Sequence, residues 1–159
     1  MAAPIQIVTI LLDADSLPAK VRETVYRRAL KEAIPVVVVA NRRIPHPRSE
    51  IVRMVITDSA AEAADAYILS HVGCQDLVVT RDIPLAYALA ERGIRVINDR
   101  GVWYDLETAR ERLSIRNFSF ELRSQGIDPG SLDSFGSRQV QAFAATFDRA
   151  ITTKYSGRK

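Results

Sequence analysis

The sequence predicts an α/β fold, with a mostly parallel five-stranded sheet between two layers of helices and further helices at the C-terminal end. Short apolar runs rich in β-branched residues alternate with longer segments of helical periodicity. The runs end at Gly, Pro or Asp, residues that close strands and open helices. The 159 residues, 47% of them hydrophobic, can bury one core. We therefore predict a single three-layer domain over residues 1–155 and a frayed tail over 156–159.

The first half of the chain predicts three strands and two helices. The apolar run 5–12 is the first strand, and Ser16 and Pro18 open a helix over 19–33. Residues 36–40 form a second buried strand. Residues 51–56 form a short third strand, which is an edge strand or pairs antiparallel because no crossover helix fits before it. Asp58 or Ser59 then caps a helix over 60–72.

The second half predicts two more strands followed by helices. Residues 76–80 form the fourth strand, Pro84 lies in the first turn of a helix that stops at Gly93, and residues 94–97 form the fifth strand. A helix runs from Asp105 to about residue 113, and Ser114 or Asn117 begins another that ends at Gly126. After a loop over 128–136, Ser137 caps the final helix.

Acidic residues follow two of the predicted strands. Asp13 and Asp15 come after the first strand, and Asp82 comes after the fourth. If the strand order is 3-2-1-4-5, these two strands are neighbours and the topological switch point lies between them. Asp65 would join the acids from the helix before the fourth strand. Glu62 competes for that helical position, because residues three apart share a helix face.

Clustered carboxylates without His or Cys are oxygen ligands, which favours Mg²⁺ or Mn²⁺ over zinc. A cation would relieve their mutual repulsion and could support phosphodiester hydrolysis by in-line attack. Thr80 would add a hydroxyl ligand or position water, and Asn41 would bond a carboxylate or a phosphate. A purely structural explanation is also open, in which Asp13 ends a strand while Asp15 and Asp82 cap helices.

Basic residues permit a nucleic-acid partner without requiring one. The net charge is +3, the pI is near 9.2, and 18 of the 22 basic residues are arginine, which binds phosphate bidentately. A high-GC genome would produce the same bias. Arg42, Arg43 and Arg48 lie in the loop after the second strand, which is either a solvated basic loop or a lip that contacts phosphate. Arg100, after the fifth strand, is a further candidate contact.

The sequence favours a cytoplasmic protein. Its apolar runs are shorter than a membrane span, and the N-terminus has no basic region of the kind that precedes a signal sequence. The single Cys74 cannot form an internal disulfide, and we expect it to be a small buried residue near the end of a helix.

Several short motifs stand in order along residues 7–150. They are Asp13-Ala14-Asp15, Val39-Ala40-Asn41, Ala64-Asp65, Val79-Thr80-x-Asp82-Ile83-Pro84-Leu85-Ala86, Asn98-x-Arg100-Gly101, Arg110-Glu111-Arg112-Leu113-x-x-Arg116 and Gln141-Ala142-Phe143-Ala144. Together they resemble the YaiI/YqxD family of uncharacterised bacterial proteins, which is grouped with PIN-like domains. The resemblance implies a PIN-like fold and, by analogy, a metal-dependent ribonuclease whose acids are Asp13, Asp65 and Asp82, with Asp15 as an additional acid.

The expected function is therefore a Mg²⁺- or Mn²⁺-dependent nuclease that acts on RNA. Two alternatives remain open. The first is a binding module of the same fold that holds a metal or RNA without turnover. The second is a haloacid-dehalogenase-like phosphatase that uses Asp13 and Asp15, although that chemistry needs a lysine and the chain has none between Glu32 and Thr153.

Overall fold

The computed structural model describes residues 6–60, 62–130 and 134–152. The five strands form one parallel sheet in the order β3-β2-β1-β4-β5, which is the order that the expected meeting of the acids required. The strands are β1 (Ile10–Asp13), β2 (Val36–Ala40), β3 (Val52–Ile56), β4 (Leu77–Val79) and β5 (Arg95–Ile97). The helices are α1 (Ala19–Glu32), α2 (Ala63–His71), α3 (Ile83–Glu91), α4 (Leu106–Ser124) and α5 (Ser137–Thr152).

Alternating side chains of the buried strands divide the core into two layers, one on each side of the sheet. In β1, Ile10 and Leu12 pack toward the side of α1 and α5, whereas Leu11 packs toward α2, α3 and α4. On the first side, Phe143 and Phe147 of α5 are fully buried and stack on each other. This burial explains why the central strands are apolar throughout, since neither face meets water. The three-layer prediction is confirmed.

The third strand lies at the edge of the sheet and pairs with β2 in parallel, so the antiparallel alternative was wrong. The connection of residues 41–51 contains no helix. It nevertheless carries the chain back to the end of the sheet at which β2 began, as parallel pairing requires. The first strand begins at Ile10, later than the apolar run 5–12 predicts, and Val8 before it is 50% exposed.

Three predicted features of the helices were wrong. Helix α1 begins at Ala19 as predicted, but Ser16 does not cap it, because Ser16 ends a 3₁₀ turn (Ala14–Ser16) and α1 begins without a side-chain cap. Helix α2 begins at Ala63 rather than residue 60, and neither Asp58 nor Ser59 caps it; its N-cap position is Glu62, with a left-handed φ of 67°. Helix α4 is continuous, because the polar side chains of Ser114 and Asn117 lie exposed on its surface and interrupt no backbone bond.

Two further expectations concern the ends of elements. Cys74, expected to be buried, is exposed because it lies in the turn between α2 and β4. The domain end at residue 155 and the tail over 156–159 lie outside the described residues. Within the described part of the chain, every helix is too short or too polar to cross a membrane.

Candidate functional site

Three carboxylates meet where β1 and β4 end. Asp13 is the last residue of β1, Asp82 follows β4, and Asp65 lies in the first turn of α2. One carboxylate oxygen of each lies within 4.8 Å of one oxygen of each of the other two. The predicted convergence at the carboxyl edge of the sheet is therefore confirmed for Asp13, Asp65 and Asp82, whereas Asp15, which was predicted to join them, lies outside this group. The parallel pairing of β1 with β4 produces it, since both strands end at the same edge.

Thr80 holds the most buried of these acids. Its hydroxyl donates a hydrogen bond to Asp13 Oδ2 over 2.6 Å and accepts one from the backbone N–H of Asp82 over 2.9 Å. Both residues are almost completely buried, with exposed fractions of 4% for Asp13 and 0% for Thr80. Through these two bonds Thr80 orients Asp13 and the loop that carries Asp82, and a role for Thr80 as a metal ligand or in positioning water stays a prediction.

Ser16 was not predicted as part of the site, yet it joins the same two loops. Its hydroxyl donates to the carbonyl oxygen of Asp13 over 2.9 Å and accepts from the N–H of Arg81 over 3.0 Å. The sequence offers no signal for this role, because a Ser shortly before a helix also fits a helix cap. Only the pairing of β1 with β4 brings Ser16 beside Arg81.

Asp82 is both a helix cap and a member of the carboxylate cluster. Its Oδ1 accepts a hydrogen bond from the N–H of Leu85 over 3.0 Å, so it caps α3. A carboxylate has two oxygens and about four lone-pair sites, and the cap uses only part of this capacity. The cap therefore fixes the Asp82 side chain without removing it from the cluster.

Asp15 lies beside the cluster but outside the group within 4.8 Å. The 3₁₀ turn directs its side chain toward the loop after β2, where Oδ2 accepts from the N–H of Asn41 over 2.8 Å. Arg42 Nε lies 3.5 Å from Asp15 Oδ1 in an ion pair. Asp15 and Asn41 line the same pocket as the three clustered acids. A role for Asp15 as a metal ligand stays a prediction.

Asp65, rather than Glu62, is the acid that α2 contributes to the cluster. Since α2 begins at Ala63, Glu62 precedes the helix and does not share a helical face with Asp65. Glu62 is exposed and lines the rim of the pocket. The pocket has a volume of about 340 Å³. Acidic, small and polar side chains line it, and neither Lys nor Arg is among them.

Burial and mutual repulsion raise the pKa values of two of the acids. The pKa of Asp65 rises to about 7, first because burial desolvates it and next because Asp82 and Asp13 carry like charge nearby. The pKa of Asp13 is also raised, mainly by burial, although hydrogen bonds from Thr80 and Ser16 oppose the shift. Among the described residues, no cationic side chain is one of the groups that shift these two pKa values. A bound cation would supply the positive charge that balances the carboxylates.

The predicted nucleic-acid contacts fall into two groups. Asn41, Arg42, Arg43 and Arg48 are exposed in the loop after β2, and Asn41 and Arg42 contact Asp15 as described. Arg100 lies beyond β5, two strands away from β1, with its guanidinium 5.5 Å above the ring of Phe135. The loop after β2 is thus next to the acids, whereas Arg100 belongs to a different part of the sheet edge. That any of them contacts nucleic acid stays a prediction.

The chain matches known proteins over most of its length. The model of a family described as uncharacterised, the YaiI/YqxD family, matches residues 11–153. A UPF0178 protein of Treponema pallidum (strain Nichols) is 47% identical over 141 residues, covering 89% of this chain and 80% of the relative. A UPF0178 protein of Syntrophobacter fumaroxidans is 44% identical over 147 residues, covering 92% and 95%. No solved structure matches the chain. Given the matched range and the identity of these bacterial relatives, the chain belongs to the YaiI/YqxD family.

Proposed function

We propose that this protein is a nuclease that depends on Mg²⁺ or Mn²⁺ and acts on RNA. The observation that carries the proposal is the group of three carboxylate oxygens, from Asp13, Asp65 and Asp82, within 4.8 Å of one another at the edge of a parallel sheet. Hard oxygen ligands of this kind suit Mg²⁺ and Mn²⁺. The resemblance to PIN-like domains supports the choice of RNA as substrate, and this is an analogy at the level of fold.

The donor set fits such an ion. Asp13, Asp65 and Asp82 would hold it, with Asp15 as a further acid on the same pocket wall. A divalent ion bound there would activate water and neutralise negative charge on a phosphodiester. The protein's own part is to keep Asp13 oriented through Thr80 and Asp82 oriented through the N–H of Leu85. Asn41, Arg42 and Arg43 would hold the phosphate chain beside the acids.

The pocket favours this function over a phosphatase that uses Asp13 as nucleophile. Such a phosphatase uses a lysine on the phosphate, and the chain has none between Glu32 and Thr153, so the arginines of the adjoining cavity would have to replace it. Asp13 is almost completely buried and already accepts a hydrogen bond from Thr80. A binding module without turnover would use the same residues as a nuclease, so only an activity measurement separates those two functions.

The test is cleavage of a labelled single-stranded RNA in Mn²⁺ by highly purified wild type and Asp82→Asn, which keeps an oxygen able to cap α3. We expect wild type to cleave and Asp82→Asn to lose at least about 100-fold in rate with little loss of RNA affinity, because the lost interaction acts mainly in the transition state. Glu91→Gln, at an exposed position at the end of α3, is the control that should match wild type. DNA of the same sequence tests the preference for RNA.

A second variant separates binding from chemistry. Replacing Arg42 and Arg43 by Ala should weaken RNA binding and reduce its salt dependence by about 0.7 for each phosphate that is no longer bound, while the rate at saturating RNA falls little. If wild type shows no cleavage that Asp82→Asn lacks, the nuclease proposal is wrong. RNA binding that persists in that case would favour the non-catalytic module.

A further inference from the structure

A second, arginine-lined groove adjoins the acidic pocket. It has a volume of about 450 Å³ and shares Asp15, Ser16 and Asp82 with the acidic pocket. Its other walls are Arg81, Arg116 and the first two residues of α3, Ile83 and Pro84. The two cavities therefore meet at Asp82, one lined by acids and the other carrying two guanidinium groups.

Arg81 is held in the groove by a buried acid. Its Nε lies 3.5 Å from Oδ2 of Asp99, whose side chain is only 2% exposed, whereas the Arg81 side chain is 48% exposed. Asp99 Oδ2 has no hydrogen-bond partner among the described residues. A buried carboxylate oxygen without such a partner is costly unless a positive charge lies nearby, as Arg81 does here. Asp99 thus anchors one side of Arg81 and leaves the rest of the guanidinium toward solvent.

The groove carries charge of both signs, and its acids also contact groups outside it, while its two arginines line the cavity. Asp15 bonds Asn41 and pairs with Arg42, and Asp82 caps α3 and belongs to the carboxylate cluster. Arg116 reaches the groove from α4 and is exposed. Two arginines beside a cation site can bind the phosphate next to the one that reacts.

Helix α4 also carries an exposed aromatic residue beyond this groove. Phe120 lies four residues after Arg116, so the two side chains share one face of the helix. Its side chain is 68% exposed, which is costly for a phenyl ring in water. An unpaired base can stack on an exposed aromatic ring that lies one helical turn from an arginine of a phosphate-sized groove.

We propose that the groove between Arg81 and Arg116 binds the phosphate adjacent to the reacting one, so that the substrate is a single-stranded polynucleotide whose next base stacks on Phe120. This inference rests on the proposed function, since it extends the same substrate beyond the acidic pocket. It implies that mononucleotides and inorganic phosphate bind weakly, because they occupy only one of the two phosphate positions. It also implies that a duplex binds less well, since paired bases cannot stack on Phe120.

The experiment measures equilibrium binding of a fluorescent 12-nucleotide single-stranded RNA in chelator, where metal-dependent cleavage cannot occur. Arg116→Ala should weaken binding about five- to tenfold and lower the salt slope by about 0.7. The double variant Arg81→Gln with Asp99→Asn should weaken binding by a similar factor. It keeps the net charge unchanged, and it does not leave the Asp99 carboxylate buried without its partner. Phe120→Ala should weaken RNA binding by a similar factor and leave inorganic polyphosphate binding as it was.

The matched control is Arg110→Ala, on the same helix but about 120° around the axis and nearly two turns away from Arg116, which removes the same charge and should change affinity less than about twofold. Equal losses in Arg110→Ala and Arg116→Ala would overturn the proposal, because binding would then follow net charge alone. Equal affinity for duplex RNA, or no binding by wild type, would also overturn it. If wild type cleaves RNA and the Arg116 and Arg81 variants cleave it equally well, the nuclease function stands and only the role of this groove is excluded.

Discussion

The hydroxyl of Thr80 donates to Oδ2 of Asp13 across 2.6 Å, joining the residue after β4 to the last residue of β1. The bond spans 67 positions of sequence and lies wholly inside the protein. It stabilises the charged form of Asp13 against the burial that raises its pKa. Thr80, which the sequence predicts to bind metal or position water, thus also orients the carboxylate of Asp13.

Replacing Thr80 by Val should remove this bond with almost no change in volume. Asp13 then loses a donor and the Asp82 N–H loses an acceptor, so we expect the free energy of unfolding to fall by about 1–3 kcal/mol. Affinity for Mn²⁺ should fall roughly 10- to 100-fold, as it does when the residue supporting a ligand is removed. Denaturant unfolding in chelator and calorimetric Mn²⁺ titration measure the two effects. Thr80→Ser should restore both, and a Val variant with unchanged Mn²⁺ affinity would exclude this role.

A divalent ion should stabilise the folded protein. It would bind the native cluster and not the unfolded chain, so about ten times its Kd adds about 1.4 kcal/mol to the free energy of unfolding. For a domain of this size the Tm should rise by about 3–6 °C. Asp13→Asn should lose most of this response and, without metal, be at least as stable as wild type, because a buried charge is gone. Thermal melts with Glu91→Gln as control check this; the same rise in Asp13→Asn would argue against Asp13 as a ligand.

Metal affinity should depend on pH through Asp65. Its pKa of about 7 means that below neutral pH the ion must displace a proton, so affinity should rise about tenfold per pH unit from about pH 5 to about pH 7 and then level off. An acid with the ordinary pKa of 3.8 would give a plateau from about pH 5. Titrations of Mn²⁺ at several pH values measure the slope. Asp65→Asn should bind more weakly and with a flatter profile; a flat wild-type profile would contradict the prediction.

The same raised pKa predicts how the metal-free protein responds to pH. The folded state holds the Asp65 proton more tightly than the unfolded state does, so this contribution to stability is present below about pH 4 and is lost as pH rises through about 7. Asp65→Asn removes the dependence. In chelator, the stability of Asp65→Asn relative to wild type should therefore increase over this range. Denaturant midpoints of the two proteins, compared at each pH, give this difference.

Gly101 should tolerate no side chain. Its φ is +82°, and an added Cβ would lie 2.5 Å from the carbonyl oxygen of Ala142 in α5. Thr146 of α5 also donates to the Gly101 carbonyl oxygen over 2.8 Å, so the turn and the helix fit closely. Gly101→Ala should lower the free energy of unfolding by at least about 2 kcal/mol through strain and overpacking. Gly93→Ala, also at positive φ but in open space, is the control, and an equal loss in both would remove the packing explanation.

The sequence by itself determined the layered sheet and the acids that end its strands, whereas the strand order that brings those acids together was a condition that the structure met. Buried strands without alternation, such as residues 36–40, require helices on both faces, and strands that end in acid place carboxylates at one edge. Asp13 and Asp82 could be placed in this way because each stands at the end of a strand. A short stretch of sequence is enough to place these two acids, because it shows where a strand ends and which residue follows it.

Only the tertiary structure decided how each side chain is used. Asp15 stands two residues from Asp13, yet the 3₁₀ turn directs it to Asn41 and Arg42, while the hydroxyl of Thr80 bonds Asp13. Asp99 looks like an ordinary loop acid in the sequence, and it is buried against Arg81. These interactions join segments far apart in the chain, and a carboxylate's partner depends on ångström-scale packing that no local pattern encodes.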